Sequence, residues 1–135
     1  MSSKSIKVIA PATIANVGPG FDIMGFAINT PVEEMILRLT GKPGIKISRI
    51  TGDKNGLPTD INKNTATVAL IHMISKLDNK LGVELEIRKK IISGSGLGSS
   101  AASAVAAPFA LNELLGKPFT KHELLEFALL GEKIA

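Results

Sequence analysis

The 135-residue chain has no cysteine, no tryptophan and no tyrosine, and only two histidines. Without cysteine there are no disulfides, no thiolate metal sites and no cysteine nucleophile, a composition that suits an intracellular, cytoplasmic protein. Without Trp or Tyr, only Phe and His rings remain for base stacking, so a nucleic-acid partner is not expected. No apolar run reaches the roughly eighteen residues of a membrane span, so no membrane partner is expected either. The opening stretch MSSKSIKVIAPATIANVGPG has no sustained apolar core, which argues against a secretory signal. Charge of one sign is also scarce. The net +4 is scattered, Lys89 and Lys90 being the only adjacent lysines, and it reads as a solvated surface. The mild positive bias favours anionic small molecules such as nucleotides. The 44% of apolar residues is enough for one folded domain with its own core.

The pattern along the chain predicts an α+β fold. Ile6, Val8 and Ala10 mark a first strand, and the Pro- and Gly-rich stretch from Pro11 to Gly25 reads as a loop. Residues 32–39 place Met35, Leu37 and Leu39 on one strand face. A Gly-Lys-Pro-Gly turn and a short strand at 45–50 follow, which together predict an antiparallel hairpin. A polar loop over 51–62 leads to a helical pattern, with Ala66, Leu70, Met73, Ile74 and Leu77 on one face. Val83, Leu85 and Ile87 alternate as a further strand. An alanine-rich helix is expected from about Ser99 to Leu115, bent or divided at Pro108. A last helix starts at Thr120, where Glu123 three residues on completes a capping-box pattern. Leu124, Phe127, Ala128 and Gly131 form its buried stripe. This order predicts helices packed on one face of a mostly antiparallel sheet.

Two loops carry the chemistry. Residues 94–103 read GSGLGSSAAS: glycines and small residues between a strand and a helix. The first N–H groups of a helix have no internal partner, and its dipole favours an anion there. Glycines let the backbone approach phosphate oxygens directly. The hydroxyls of Ser99 and Ser100 add donors, and a serine oxygen can ligate Mg²⁺. Two familiar phosphate loops are excluded. Gly98 is followed by Ser99 and not by the Walker lysine, and position 99 lacks the third glycine of the dinucleotide fingerprint. A tight strand-to-helix turn with no ligand remains an open reading of the same residues. In the other loop, NVGPGFD, Asn16 and Asp22 are strong polar groups. They read either as a turn former and a cap, or as substrate contacts, with Asp22 holding a cationic group.

The stretch GSGLGSSAASA at 94–104 resembles the second motif of the GHMP small-molecule kinases. APATIANVGPGFDIMGFA, from Ala10 to Ala27, is similar to the first motif of the homoserine kinases within that superfamily. Pro11, Ala12 and Thr13 stand where mevalonate kinases carry Pro-Gly-Lys. DINKNTA at 60–66 and the final GEKIA also resemble homoserine kinases.

The resemblance implies a ribosomal-protein-like α+β domain that binds ATP with Mg²⁺. It further implies transfer of the γ-phosphoryl to the side-chain hydroxyl of L-homoserine, on the route to threonine. Residues Ser93, Gly94, Ser95, Gly96, Leu97, Gly98, Ser99 and Ser100 would wrap the triphosphate. Ser100 and Glu132 would hold the metal. Asn64 would lie at the adenine pocket while also capping its helix. Asn16 and Asp22 would contact homoserine, Asp22 near its amino group or hydroxyl. Phosphoryl transfer asks mainly for positioning and charge stabilisation, so a strong general base is not obligatory. Family members are longer, and their further glycine-rich motif, His-Ala-Asp-Asn segment and substrate arginines have no counterpart here. The expectation is therefore an N-terminal portion spanning 1–135, with little activity alone and a tendency to self-associate, a homodimer included. Two other functions stay open: a GHMP-type kinase for another alcohol, and a non-catalytic nucleotide-binding or assembly module.

Overall fold

The computed structural model describes residues 4–15, 25–53, 56–77, 80–91 and 95–134. Among these residues there are four strands, β1 (Ser5–Ala15), β2 (Gly25–Thr40), β3 (Gly44–Thr51) and β4 (Gly82–Arg88), and three helices, α1 (Thr65–Ile74), α2 (Ser99–Leu114) and α3 (Lys121–Glu132). The strands form one sheet in the order β1-β2-β4-β3. Two of its three pairings are antiparallel and the third, β3 with β4, is parallel.

Alternation sets the layers. Val8, Ala10, Met35, Leu37, Val83, Leu85 and Ile87 are all buried on one face of the sheet, in register as Val8↔Met35, Met35↔Ile87 and Leu37↔Leu85. The helices cover this face, α2 packing directly on β1 and β2. Ala102, Ala106, Ala107 and Ala110 lie buried there, and their small side chains let the helix come close. The opposite face carries Lys7, Glu34, Arg38 and Arg88 in a lattice of ion pairs. Among the described residues no helix is long and apolar enough to cross a membrane.

Three expectations need correction. The first concerns the hairpin: β2 and β3 do not pair, because β4 lies between them. The inner face of β4 is wholly buried, so it belongs at the centre, whereas no residue of β3 is fully buried and it takes the edge. Return from β3 to a parallel neighbour then requires a crossover, which α1 supplies. Next, Pro11–Ala15 is strand, not loop. Ala12, Thr13 and Ile14 pair with Ile28, Ala27 and Phe26, beyond a register shift between Pro11 and Ala12. That irregularity accommodates a residue without an N–H donor. Lastly, of the two alternatives at Pro108 division is excluded, since the residue lies buried inside a single helix. Packing on both sides outweighs the lost backbone hydrogen bond.

Local signals place the starts of α1 and α3 as the sequence suggests, but not the end of α1. The Thr120 hydroxyl accepts from Glu123 N at 3.2 Å, and Glu123 Oε1 accepts from Thr120 N at 3.0 Å, closing the capping box. Asn64 caps α1 by accepting from Ala66 N at 3.0 Å. Helix α1 ends at Ile74, so Leu77 lies beyond it.

Candidate active site

Three helix ends converge beside the glycine loop. The Thr65 hydroxyl, at the start of α1, donates to Ser100 O at 3.2 Å, tying α1 to the start of α2. At the other end of α3, Gly131 lies against the same corner: a Cβ there would come within 2.5 Å of Thr65 O and 3.1 Å of Ala69 Cβ. That close approach brings the next residue, Glu132, over the first turn of α2. Ser100 Oγ donates to Glu132 Oε2 at 3.3 Å. Glu132 Oε1 is buried and has no hydrogen-bond partner among the described residues. Two side chains 32 positions apart are thus paired by packing alone.

The start of α2 is built to leave its amides free. Its N-cap is Gly98, with φ +73° and no side chain to fold back on the first turn. The first helix-closing bond is Ala102 N to Gly98 O at 2.9 Å, so the amides of Ser99, Ser100 and Ala101 lack helix partners. Gly98 is also pinned from behind. Thr13 N donates to Leu97 O at 2.9 Å, and a Cβ on Gly98 would lie 2.2 Å from Thr13 Oγ1. This bond ties the end of β1 to the glycine loop. Gly98→Ala combines a left-handed backbone with that clash, so a loss of about 1–2 kcal/mol or more is expected. Urea unfolding of the variant beside the parent checks it, and a loss under about 0.5 kcal/mol would count against the tight approach.

A cavity of about 390 Å³ opens beside this turn, with Pro58, Lys63, Asn64, Lys89, Ser100 and Ile134 on its walls. Asn64 is buried, and its amide nitrogen donates to Pro58 O at 3.0 Å while its oxygen caps α1. Its cap role is therefore present, and one N–H remains for a ligand in the cavity. Ser95, Gly96 and Leu97 run up to the cap. Asn16, Asp22, Ser93 and Gly94 lie outside the described residues.

The expected solvated pair Lys89–Lys90 separates into two different residues. Lys90 is half-exposed and pairs with Glu34 at 3.0 Å. Lys89 is buried, its side chain 3% exposed, and donates to Glu33 Oε1 at 2.9 Å, Ser103 Oγ at 2.7 Å, Ser99 Oγ at 3.0 Å and Ser99 O at 3.2 Å. Ser99 Oγ also donates to Glu33 Oε1 at 3.0 Å. Ser99 is therefore engaged behind the loop, and its hydroxyl does not face the cavity alone. Burial pushes the Glu33 carboxyl above its ordinary range, against the opposing pull of the Lys89 hydrogen bond. Glu33 and Lys89 were legible in one respect: each lies two residues from an inward position, Met35 and Ile87, so strict alternation puts both on the core face.

A metal at this corner can be tested against the donors present. Ser100 Oγ and Glu132 supply oxygen only, and one carboxylate oxygen is buried without a partner. Hard oxygen donors few in number suit Mg²⁺, which takes one or two carboxylates and completes its shell with phosphate oxygens and water. Among the described residues no group of three His, Cys, Asp or Glu side chains could hold a metal on its own. The residues fit Mg²⁺ arriving with a phosphate ligand.

Comparison with known proteins follows the same geometry. Residues 64–135 match the family described as GHMP kinases N terminal domain. Homoserine kinase of Chlorobium phaeovibrioides is 45% identical over 98% of this chain, and that of Methanococcus vannielii 41% identical over 98%. In both cases the chain spans 44% of the relative's length. The crystal structure of homoserine kinase from Cytophaga hutchinsonii superposes with a TM-score of 0.93 at 49% identity, covering all of this chain and 43% of that one. The chain belongs to the GHMP kinases, and the part matched is their N-terminal domain.

Proposed function

We propose that this chain is the nucleotide-binding portion of a homoserine kinase. The meeting of Ser100 and Glu132 at an uncapped helix N-terminus carries the reading, and similarity to homoserine kinases supports L-homoserine as the acceptor. The free amides at the start of α2, with the loop from Ser93 to Gly98, would bind the triphosphate of ATP. Ser100 and Glu132 would hold Mg²⁺, which when bound neutralises charge developing on the transferred phosphoryl group. Asn64 would border the adenine. Asn16 and Asp22 would orient L-homoserine, Asp22 by its negative charge near the amino group or the hydroxyl. The protein's share of the reaction is alignment and charge placement, with threonine biosynthesis in the cytoplasm as its setting.

The chain spans 44% of its relatives, so little turnover is expected from it alone. An assay for phosphorylated product from L-homoserine and MgATP should show a trace at most, lost in Glu132→Gln. Product from another alcohol in place of homoserine contradicts the acceptor. A rate near that of full-length homoserine kinases contradicts the partial character of the chain.

An apolar face supports the same partial character. Val105 and Phe109 on α2 and Leu125 and Leu129 on α3 are each 42–56% exposed. Val105, Phe109 and Leu125 line a shallow hollow of about 270 Å³. Contiguous exposed apolar surface seeks cover. Sedimentation velocity should show this chain forming a dimer as concentration rises, and Phe109→Glu should return it to monomer. A monomer at every concentration would refute the dimer.

A further inference from the structure

We infer that Lys89 is a positioning residue for the nucleotide site: it clamps the first turn of α2 from behind through Ser99 and Ser103. The inference rests on the reading of that turn as the phosphate site. An ammonium has three N–H donors, and four oxygens lie within 3.2 Å of Lys89 Nζ. No donor is left for a phosphate oxygen, although the residue borders the cavity. Glu33 at 2.9 Å also cancels most of its field at a distance. Lys89 therefore acts by geometry and not by touching the ligand or attracting it.

The geometry is specific to the turn that matters. Two of the four acceptors belong to Ser99, the first residue of α2, and a third to Ser103 one turn later. Ser99 Oγ reaches on to Ile91 O at 3.3 Å, joining the turn to the strand side of the loop. Thr13 holds Leu97 on one flank, and Thr65 holds Ser100 on the other. Lys89 completes the anchorage from below, where a glycine N-cap supplies none. Free amides bind an anion well only if their directions are fixed beforehand, since otherwise ordering them consumes binding energy.

The test separates clamping from mere stability. Lys89→Met/Glu33→Met removes both charges together, and exchanging a buried ion pair for apolar side chains of similar size is often neutral for folding. With the fold intact, amide hydrogen exchange over residues 95–103 should quicken roughly tenfold while β2 and β4 keep their protection. The dissociation constant for MgATP should rise about tenfold or more. Ser103→Ala, which removes one acceptor and leaves the ion pair, should move both readings in the same direction by less. Unchanged exchange over 95–103 in both variants overturns the clamp, whether or not the chain binds nucleotide. Faster exchange with unaltered MgATP affinity overturns its part in binding. Faster exchange in a chain whose parent form binds no MgATP leaves the clamp standing and overturns the proposed nucleotide site.

Discussion

Lys89→Met alone should cost the fold about 3–5 kcal/mol at neutral pH, because it strands the Glu33 carboxylate in the core. The Glu33 side chain is 2% exposed, and Oε1 takes its hydrogen bonds from Lys89 and Ser99. Oε2 has no partner among the described residues. A domain of this size has about 5–15 kcal/mol in all, so the variant approaches the limit of folding. The deficit has a pH signature. In the parent protein burial already places the Glu33 pKa above the ordinary value of 4.5. The folded state thus holds that proton more tightly than the unfolded chain, and Glu33's contribution to stability falls as pH rises from about 4.5 through the folded pKa. Removing Lys89 steepens that fall. Urea titrations at several pH values should show the gap between variant and parent wide at pH 7 and shrinking on acidification toward 4.5. A gap under about 1 kcal/mol at pH 7 would mean the pair is not buried together.

Glu132→Gln should weaken Mg²⁺-dependent nucleotide binding about 10–100-fold while leaving the fold as stable as before, or slightly more so. The two halves of this prediction share one cause. Glu132 is the last residue of α3, where the negative end of the helix dipole disfavours a carboxylate. One of its oxygens is buried without a hydrogen bond. Both features are unfavourable in the protein by itself, and both are relieved by a cation. A structural glutamate would show the reverse, with loss of stability and no change in nucleotide affinity. Calorimetric titration with and without Mg²⁺, beside thermal unfolding of each form, distinguishes the two.

The sequence was a good guide where the signal was local. The capping box at Thr120, the alternation of β4 and the inward stripe of α3 follow from neighbours a few residues apart, and each is found in the structure. The hairpin between β2 and β3 was misread because a turn reports only that the chain reverses. Whether a third strand enters between them depends on burial of β4, 38 or more residues further on. The β1 extension was hidden because Pro11 and the Pro- and Gly-rich sequence after it read together as loop, whereas the register shift at Pro11/Ala12 takes up the proline within the strand. At the site, Gly98 and Ser100 stand out as a motif, but the approach of Glu132 depends on Gly131 closing against α1. Lys89 escaped notice because a lysine beside another lysine reads as surface. Only the alternation of β4, carried one residue past its end, shows otherwise.

Titrating the 135-residue chain with ATP in the calorimeter, with and without Mg²⁺ and beside Ser100→Ala, tests the central claim most directly. The account predicts binding that needs Mg²⁺ and weakens in the variant, as expected if the start of α2 cradles phosphate and Ser100 touches the metal. Absence of binding by a folded sample, or equal binding with and without Mg²⁺ in both forms, would contradict it.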